Sequence, residues 1–206
     1  MGLSARDVFD SLGKDYETAF AGFTAQREEA EWLAGELPTN ARVLDVGCGT
    51  GKPVAEVLAA AGHRVTGYDV SPKMIEIARA QLPGAGFDVA DLRTLEQPAG
   101  SWDAVVACYS LLQLTHAQID AALAKFADWL APGGIFLMAT VPVDVAGFDF
   151  EFMGKPVTVS SYSAESYRER LTRLGLEVVR ERFVDFQPDY PGAAPENDLF
   201  MGARKP

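Results

Sequence analysis

Polar and apolar residues along this chain follow two rhythms, and the points where one gives way to the other mark its elements. From Ser4 to about Leu37 apolar residues recur at helical spacing among many charged ones. Breaks near Gly13 and Gly22 and a stop at Pro38-Thr39-Asn40 bound this helical preface. Short apolar runs then alternate with helical stretches. Strands are expected at Arg42 to Val46, His63 to Asp69, around Phe87 to Val89, Trp102 to Cys108 and Ile135 to Val141. Helices are expected up to Ala61, over Ser71 to Gln81 and from about Ala117 to Leu130. Repeated strand–helix units of this length imply a parallel sheet with helices on both faces.

Beyond Val141 the rhythm changes. Phe148 to Phe152 and Pro156 to Ser160 alternate with period two around Gly154-Lys155, which predicts a hairpin. A helix from Ala164 to Leu174, opened by Ser163 and stopped by Gly175, precedes two final strands, Leu176 to Phe186 and Asp198 to Ala203. Between them the proline-rich stretch Gln187 to Asn197 reads as a plain loop. No internal repeat or long linker interrupts the 206 residues, of which 48% are apolar, so a single domain with a substantial core is expected.

Composition narrows the partners. The chain carries 18 basic against 29 acidic residues, a net charge of -11 that repels phosphate backbones and argues against nucleic acid. No apolar run reaches the roughly 20 residues a membrane helix needs. Met1 to Asp7 also lacks a signal-peptide core, so a cytoplasmic protein without membrane contact is expected. Cys48 and Cys108 read as small packed thiols. With only His63 and His116 as histidines, no zinc cluster can be assembled and no metal is expected.

Chemistry concentrates in Val43-Leu44-Asp45-Val46-Gly47-Cys48-Gly49-Thr50-Gly51-Lys52, where a buried-strand pattern runs into a glycine-rich turn and then a helix. Glycines 47, 49 and 51 allow a tight turn and a close approach of backbone to ligand. A phosphate-clasping P-loop would need glycine at position 46 and Ser or Thr after the lysine, but valine and proline stand there. A dinucleotide fingerprint fits imperfectly, because the third glycine comes one residue early.

D-x-G-x-G-x-G after a strand resembles the first motif of the class I S-adenosylmethionine-dependent methyltransferases. Later strands end in groups that match that family in order and spacing. These are Asp69 after the second strand, Ala90-Asp91-Leu92 after the third, Ala107-Cys108-Tyr109-Ser110-Leu111-Leu112-Gln113 after the fourth, and Leu130-Ala-Pro-Gly-Gly134 before the fifth. The resemblance covers about residues 40 to 141. It implies a Rossmann-like, doubly wound α/β fold, with a seven-stranded, mostly parallel sheet, helices on both faces, and an antiparallel final strand inserted beside the fifth. Within one methyltransferase domain, 1–206, it implies a helical cap (1–40), a cofactor-binding core (41–141), a small insert over the acceptor pocket (142–162) and the rest of the sheet (163–206).

By the same resemblance, S-adenosylmethionine would lie with Asp45 near its methionyl amine and Gly47, Cys48, Gly49 and Gly51 beneath it. The helix beginning near Gly51 would direct N–H groups to its carboxylate. Asp69 would take both ribose hydroxyls, with Val70 and Met74 beyond it. Ala90, Asp91 and Leu92 would hold the adenine, where Asp88 competes but strand alternation favours Asp91. Cys108, Tyr109 and Gln113 would line the methyl-transfer position, and Tyr16 would close over the cofactor.

These expectations converge on methyl transfer to a small molecule, an oxygen of a secondary metabolite by family frequency, with S-adenosylhomocysteine released by a monomer or homodimer. An NAD(P)-dependent oxidoreductase also predicts the acid at 69, although no Tyr-x-x-x-Lys pair is present; a non-catalytic cofactor-binding protein would share every motif. Positioning can carry direct displacement without a base. For a hydroxyl acceptor His116 is the candidate base, or else a cap of the helix starting near Ala117. Phe20, Phe23, Tyr109, Phe148, Phe150, Phe152 and Tyr162 are candidates for the walls of an acceptor pocket.

Overall fold

The computed structural model describes residues 2–206. The preface forms α1 (Ala5–Leu12), α2 (Lys14–Ala19) and α3 (Ala25–Glu36), broken at Gly13 and around Gly22 as the glycines predict. The alternating core follows as β1 (Arg42–Val46), α4 (Val54–Ala60), β2 (Arg64–Asp69), α5 (Pro72–Gln81), β3 (Gly86–Val89), β4 (Trp102–Cys108), α6 (His116–Trp129) and β5 (Leu130–Thr140). The hairpin β6 (Val145–Phe152) and β7 (Lys155–Ser161), then α7 (Ala164–Arg173), β8 (Glu177–Phe186) and β9 (Glu196–Arg204) complete the chain.

Seven strands form one sheet in the order β3-β2-β1-β4-β5-β9-β8. β9 runs antiparallel to both neighbours, β5 and β8, and all other pairings are parallel. The expected topology is thus present, with the last strand inserted beside the fifth. Chain order reverses direction between β1 and β4, the place where open α/β sheets bind ligands beyond their carboxyl ends.

Among the boundaries that differ from expectation, two shape the surroundings of the switch point. β5 begins at Leu130, because Leu130 already pairs with Trp102 before the register shifts. The Pro132-Gly133-Gly134 turn is therefore built into the strand, where a side chain on Gly134 would press on the Ala131 and Asp103 carbonyls. α4 begins at Val54 rather than near Gly51, preceded by Pro53, which has no N–H to offer.

Alternation along the strands builds two cores. Leu44, Val46, Val105, Ala107, Phe136 and Met138 face α6 and α7, where Phe126, Trp129 and Tyr167 are buried. Val43, Val65, Val106, Leu137, Ala139 and Phe200 pack with Leu33, Leu58 and Ile75 of α3, α4 and α5. Burying each Val, Leu, Ile, Phe or Met side chain among them contributes about 1.5–3 kcal/mol. A third cluster joins Val8 and Leu12 of α1 to Val157 of β7, with Phe9, Tyr16 and Phe152 against it. The hairpin and the preface therefore pack as one cover, reinforced by the Leu3 N–H donating to the Pro156 carbonyl at 2.8 Å.

Candidate active site

Strand parity decides which side chains meet. Asp45 shares a face with Val43, Asp69 with Val65, Cys108 with Val106, and Asp198 with Phe200, and all four apolar partners belong to the core on the α3–α5 side. Each polar member of these pairs stands at the carboxyl end of the parallel strands. A row of chemistry-bearing residues thus crosses β2, β1, β4 and β9 on one face, beneath the α1–α2 cover.

The glycine turn has positive φ at Gly47 (76°), Gly49 (53°) and Gly51 (83°), a path closed to most side chains. A Cβ on Gly47 would also collide with Ser110, whose hydroxyl is buried without a partner. The Gly47 and Cys48 N–H groups donate to the Tyr68 carbonyl at 2.7 and 3.0 Å, tying the turn to β2. Asp69 completes the tie, with Oδ2 accepting from Gly49 N–H at 3.0 Å and Oδ1 from Ser71 N–H at 2.8 Å. Burial raises its pKa, and those N–H groups pull it partly back. Cys48 packs against Gly67 of β2 as a buried thiol, and burial pushes its thiol up.

Asp45 is 2% exposed and its pKa is pushed to about 7 by burial and then by the charge of Asp69, with no hydrogen bond or cation to offset either. That orphaned carboxylate is what an ammonium group of a ligand would satisfy. The residues present therefore fit the amine and ribose ends of S-adenosylmethionine. The N–H groups expected to meet its carboxylate are less favourable: Gly51 N–H is engaged by the Cys48 carbonyl at 2.9 Å, and α4 starts beyond a proline.

Val70 is half-buried after β2, and Met74 is fully buried in the first turn of α5, its N–H capped by the Ser71 hydroxyl. Ser71 in turn donates to Asp10 of α1 at 2.6 Å, which joins the cover to the site. Ala90 N–H donates to the Asp69 carbonyl at 2.9 Å. Asp91 follows it, but its carboxylate is held by Arg93 through several bonds, including 2.9 Å from Nε, and this pair keeps its pKa low. Asp88 is spoken for elsewhere by Arg79 at 2.6 Å. Leu92 and Gln113 are half-buried at the rim.

Tyr16 lies over the middle of the row, its hydroxyl pushed far up by burial and by the charges of Cys108, Glu196, Asp198 and Asp69. Cys108 is buried, and burial raises its thiol too. Tyr109 has a left-handed backbone, φ 58°, unusual for a bulky side chain. Its ring packs on Phe23 and Phe200 at 6.4 Å, and its hydroxyl is buried without a partner.

Several expected wall residues converge and others do not. Phe20, Phe23 and Phe152 form a continuous aromatic network with Phe186 and Tyr190, two residues sequence reasoning missed. Phe148 and Phe150 are largely exposed, although their register puts them on the hairpin face of Val157 and Val159. His116 is removed from the row: its ring stacks on Tyr162 at 4.0 Å, with Nε2 at 3.0 Å from the Ser161 carbonyl, while Arg170 covers the other face of Tyr162. The cap of α6 is Thr115, paired reciprocally with Gln118, so neither role expected of His116 matches its packing. The stretch read as a plain loop carries Tyr190 and leads into Glu196 and Asp198. Period-two spacing of acids entering the last strand was the available signal.

Among the described residues no cluster of His, Cys, Asp or Glu could hold a metal ion, and no helix is long and apolar enough to cross a membrane. A groove of about 480 Å³ lined by Asp10, Lys14, Lys73 and Glu76 contains none of the residues in the row.

A doubly wound sheet with a glycine turn and carboxylates at its switch point defines a nucleotide-cofactor protein of Rossmann-like type. A family model described as a methyltransferase domain matches residues 43–134. Methyltransferase GfsG of Streptomyces halstedii is 30% identical over 174 residues, covering 78% of this chain and 62% of that protein. Aklanonic acid methyltransferase DauC of Streptomyces sp. (strain C5) is 41% identical over 148 residues, 68% of this chain and 66% of that one. Among solved structures, the 1,6-didemethyltoxoflavin-N1-methyltransferase of Burkholderia thailandensis, with bound 1,6-didemethyltoxoflavin and S-adenosylhomocysteine, shares the fold. It matches at TM-score 0.74 and 22% identity, over 100% of this chain and 92% of that one. The chain belongs to the class I S-adenosylmethionine-dependent methyltransferases. It spans about two thirds or less of the length of the curated relatives it matches.

Proposed function

We propose that residues 1–206 act as one methyltransferase unit that moves a methyl group from S-adenosylmethionine to a small-molecule acceptor. The observation that carries this reading is Asp45, a buried carboxylate without any protein partner, standing one strand from Asp69 beside the glycine turn. When bound, the cofactor supplies an electrophilic methyl on a sulfonium. The chain's own part is to bind, orient and exclude water. Asp45 would neutralise the ammonium, Asp69 would accept the ribose hydroxyls, and Ala90 and Leu92 would flank the adenine. The Asp91 carboxylate would assist there only where Arg93 shares it. Tyr16 and the aromatic cover would keep water from the reacting carbon.

The acidic surface and the aromatic network favour a planar small molecule over nucleic acid; an oxygen as the methylated atom rests on family frequency alone. Isothermal titration with S-adenosylhomocysteine is the direct test. Binding at low micromolar ligand is expected, and no heat at high micromolar ligand would retire the reading.

A further inference from the structure

Resting on the methyltransferase reading, we propose that Asp198, with Tyr109 and Glu196 beside it, receives the acceptor, and that the acceptor is a neutral aromatic molecule presenting an acidic hydroxyl. Asp198 takes the proton of that hydroxyl as the methyl group arrives.

Placement comes from the sheet. Leu199 pairs with Thr140, the last residue of β5, so Asp198 lies one residue beyond the carboxyl end of β5. From Asp45 on β1 to Asp198 on β9 the sheet advances three strands, about 14 Å at the usual spacing of about 4.8 Å. A cofactor held by Asp69 and Asp45 spans β2 and β1 and reaches β4. The carboxyl end of β5 and the adjoining start of β9 carry no residue assigned to the cofactor and are covered by Phe23 and Phe186 beside Phe200, and Tyr109, at the end of β4, stands between them and the cofactor.

The side chains there are unfinished. Asp198 is 1% exposed, yet neither carboxylate oxygen has a hydrogen-bond partner, and the Tyr109 hydroxyl is likewise buried and unpartnered. Tyr109 is close enough to pull the acidity of Asp198 partly back, but the two do not close a hydrogen bond. Burial without a partner is costly for each group, so both are held ready for a third party. Glu196, one pleat away on the same face, is pushed to about 7 by burial and by the charge of Asp198. The other groups facing this pair are Tyr16 from α2, Cys108 from β4 and Tyr190 from the loop before β9; on β8 the residue opposite Asp198 is Val184. No Lys or Arg contributes to the titration of either acid.

A hydroxyl suits this arrangement in all its valences. Its proton points to Asp198, one lone pair accepts from Tyr109, and the other faces the cofactor. In the transfer an acceptor lone pair forms the O–CH₃ bond, the S–CH₃ pair returns to sulfur, and the O–H proton passes to an Asp198 oxygen. The sulfonium charge and the carboxylate charge vanish together, which a low-dielectric enclosure favours. A carboxylate acceptor would need no base and would meet two acids without a cation, a repulsive like-charge contact.

The test uses the full chain saturated with S-adenosylhomocysteine and a matched pair of probes, naphthol and naphthoate, titrated calorimetrically. Naphthol emission, which separates the neutral from the deprotonated form, is recorded in parallel. Naphthol is expected to bind tighter than naphthoate by about tenfold or more. Its deprotonated emission should fade as pH falls through about 6, where Asp198 becomes protonated. Asp198→Asn should abolish both the preference and the deprotonated emission while leaving S-adenosylhomocysteine affinity unchanged, and Tyr109→Phe should weaken naphthol binding more than naphthoate binding. Absence of naphthol binding, equal or tighter naphthoate binding, or unaltered emission in Asp198→Asn would each overturn the proposal. Failure of the wild-type chain to bind S-adenosylhomocysteine would instead retire the methyltransferase reading.

Discussion

Asp45 and Asp69 stand on neighbouring strands of the same edge, but their surroundings set them different tasks. Asp69 is satisfied by two backbone N–H groups, so it holds the turn in shape while keeping lone pairs for a ligand. Asp69→Ala is expected to weaken S-adenosylhomocysteine affinity more than about tenfold, since charge-assisted bonds contribute about 1.5–3 kcal/mol each, with circular dichroism unchanged. Asp45 is strained electrostatically instead, its pKa pushed by burial from the ordinary 3.8 to about 7. The folded state thus binds a proton more readily than the unfolded one. The associated stability is complete below pH 3.8 and is lost as pH rises towards about 7. Asp45→Asn should raise the Tm of the ligand-free protein at pH 8 by about 2–4 °C, the worth of one kcal/mol in a domain of this size. The same variant should lose cofactor affinity. A melting curve unmoved by the substitution would mean that the carboxylate is compensated.

At the scale of elements, the cover and the far edge of the sheet are held by different means. The cover rests on Asp10 at the start of α5, on Gln81 bonded both to Glu17 of α2 and to the Thr50 carbonyl, and on the apolar contact between α1 and the hairpin. The edge strand β8 is tied to α3 by Glu29, wholly buried, which accepts from Arg180 and Arg182. Glu29→Ala should cost about 1.5–3 kcal/mol in urea unfolding, because it leaves two guanidinium groups without their shared partner. The arginines are about a third exposed, so water offsets part of the loss. The hairpin was legible from its alternation, although its turn falls at Met153-Gly154, where both φ values are positive (48° and 73°). Its aromatic face was not legible, because period two says that Phe148, Phe150 and Phe152 share a face but not which way that face turns. Only Phe152, at the hairpin's end, reaches the cover.

For the whole molecule, two populations of acids oppose each other. Asp45, Glu196 and Asp198 are raised by burial, so their contribution to stability declines as pH climbs from about 4 towards 7. Glu28, Asp91 and Asp103 are lowered by arginine partners, and their contribution is lost as pH falls through the carboxylate range. The ligand-free protein should therefore melt highest near about pH 5 and lower at pH 8. S-adenosylhomocysteine should narrow that difference by supplying the missing ammonium. A Tm that rises steadily to pH 8 would contradict the assignment of unpartnered interior acids. The order of strands and helices, the glycine turn and the family were determined by the sequence alone, because they rest on local periodicity and on backbone freedoms that single residues impose. Which side chains share one enclosure was decided by tertiary structure. Sequence spacing cannot say that Asp198, near the end of the chain, comes to lie on the same face as Asp45, or that His116 is turned onto Tyr162. Those outcomes depend on where β9 inserts and in which register, a matter of long-range pairing and packing.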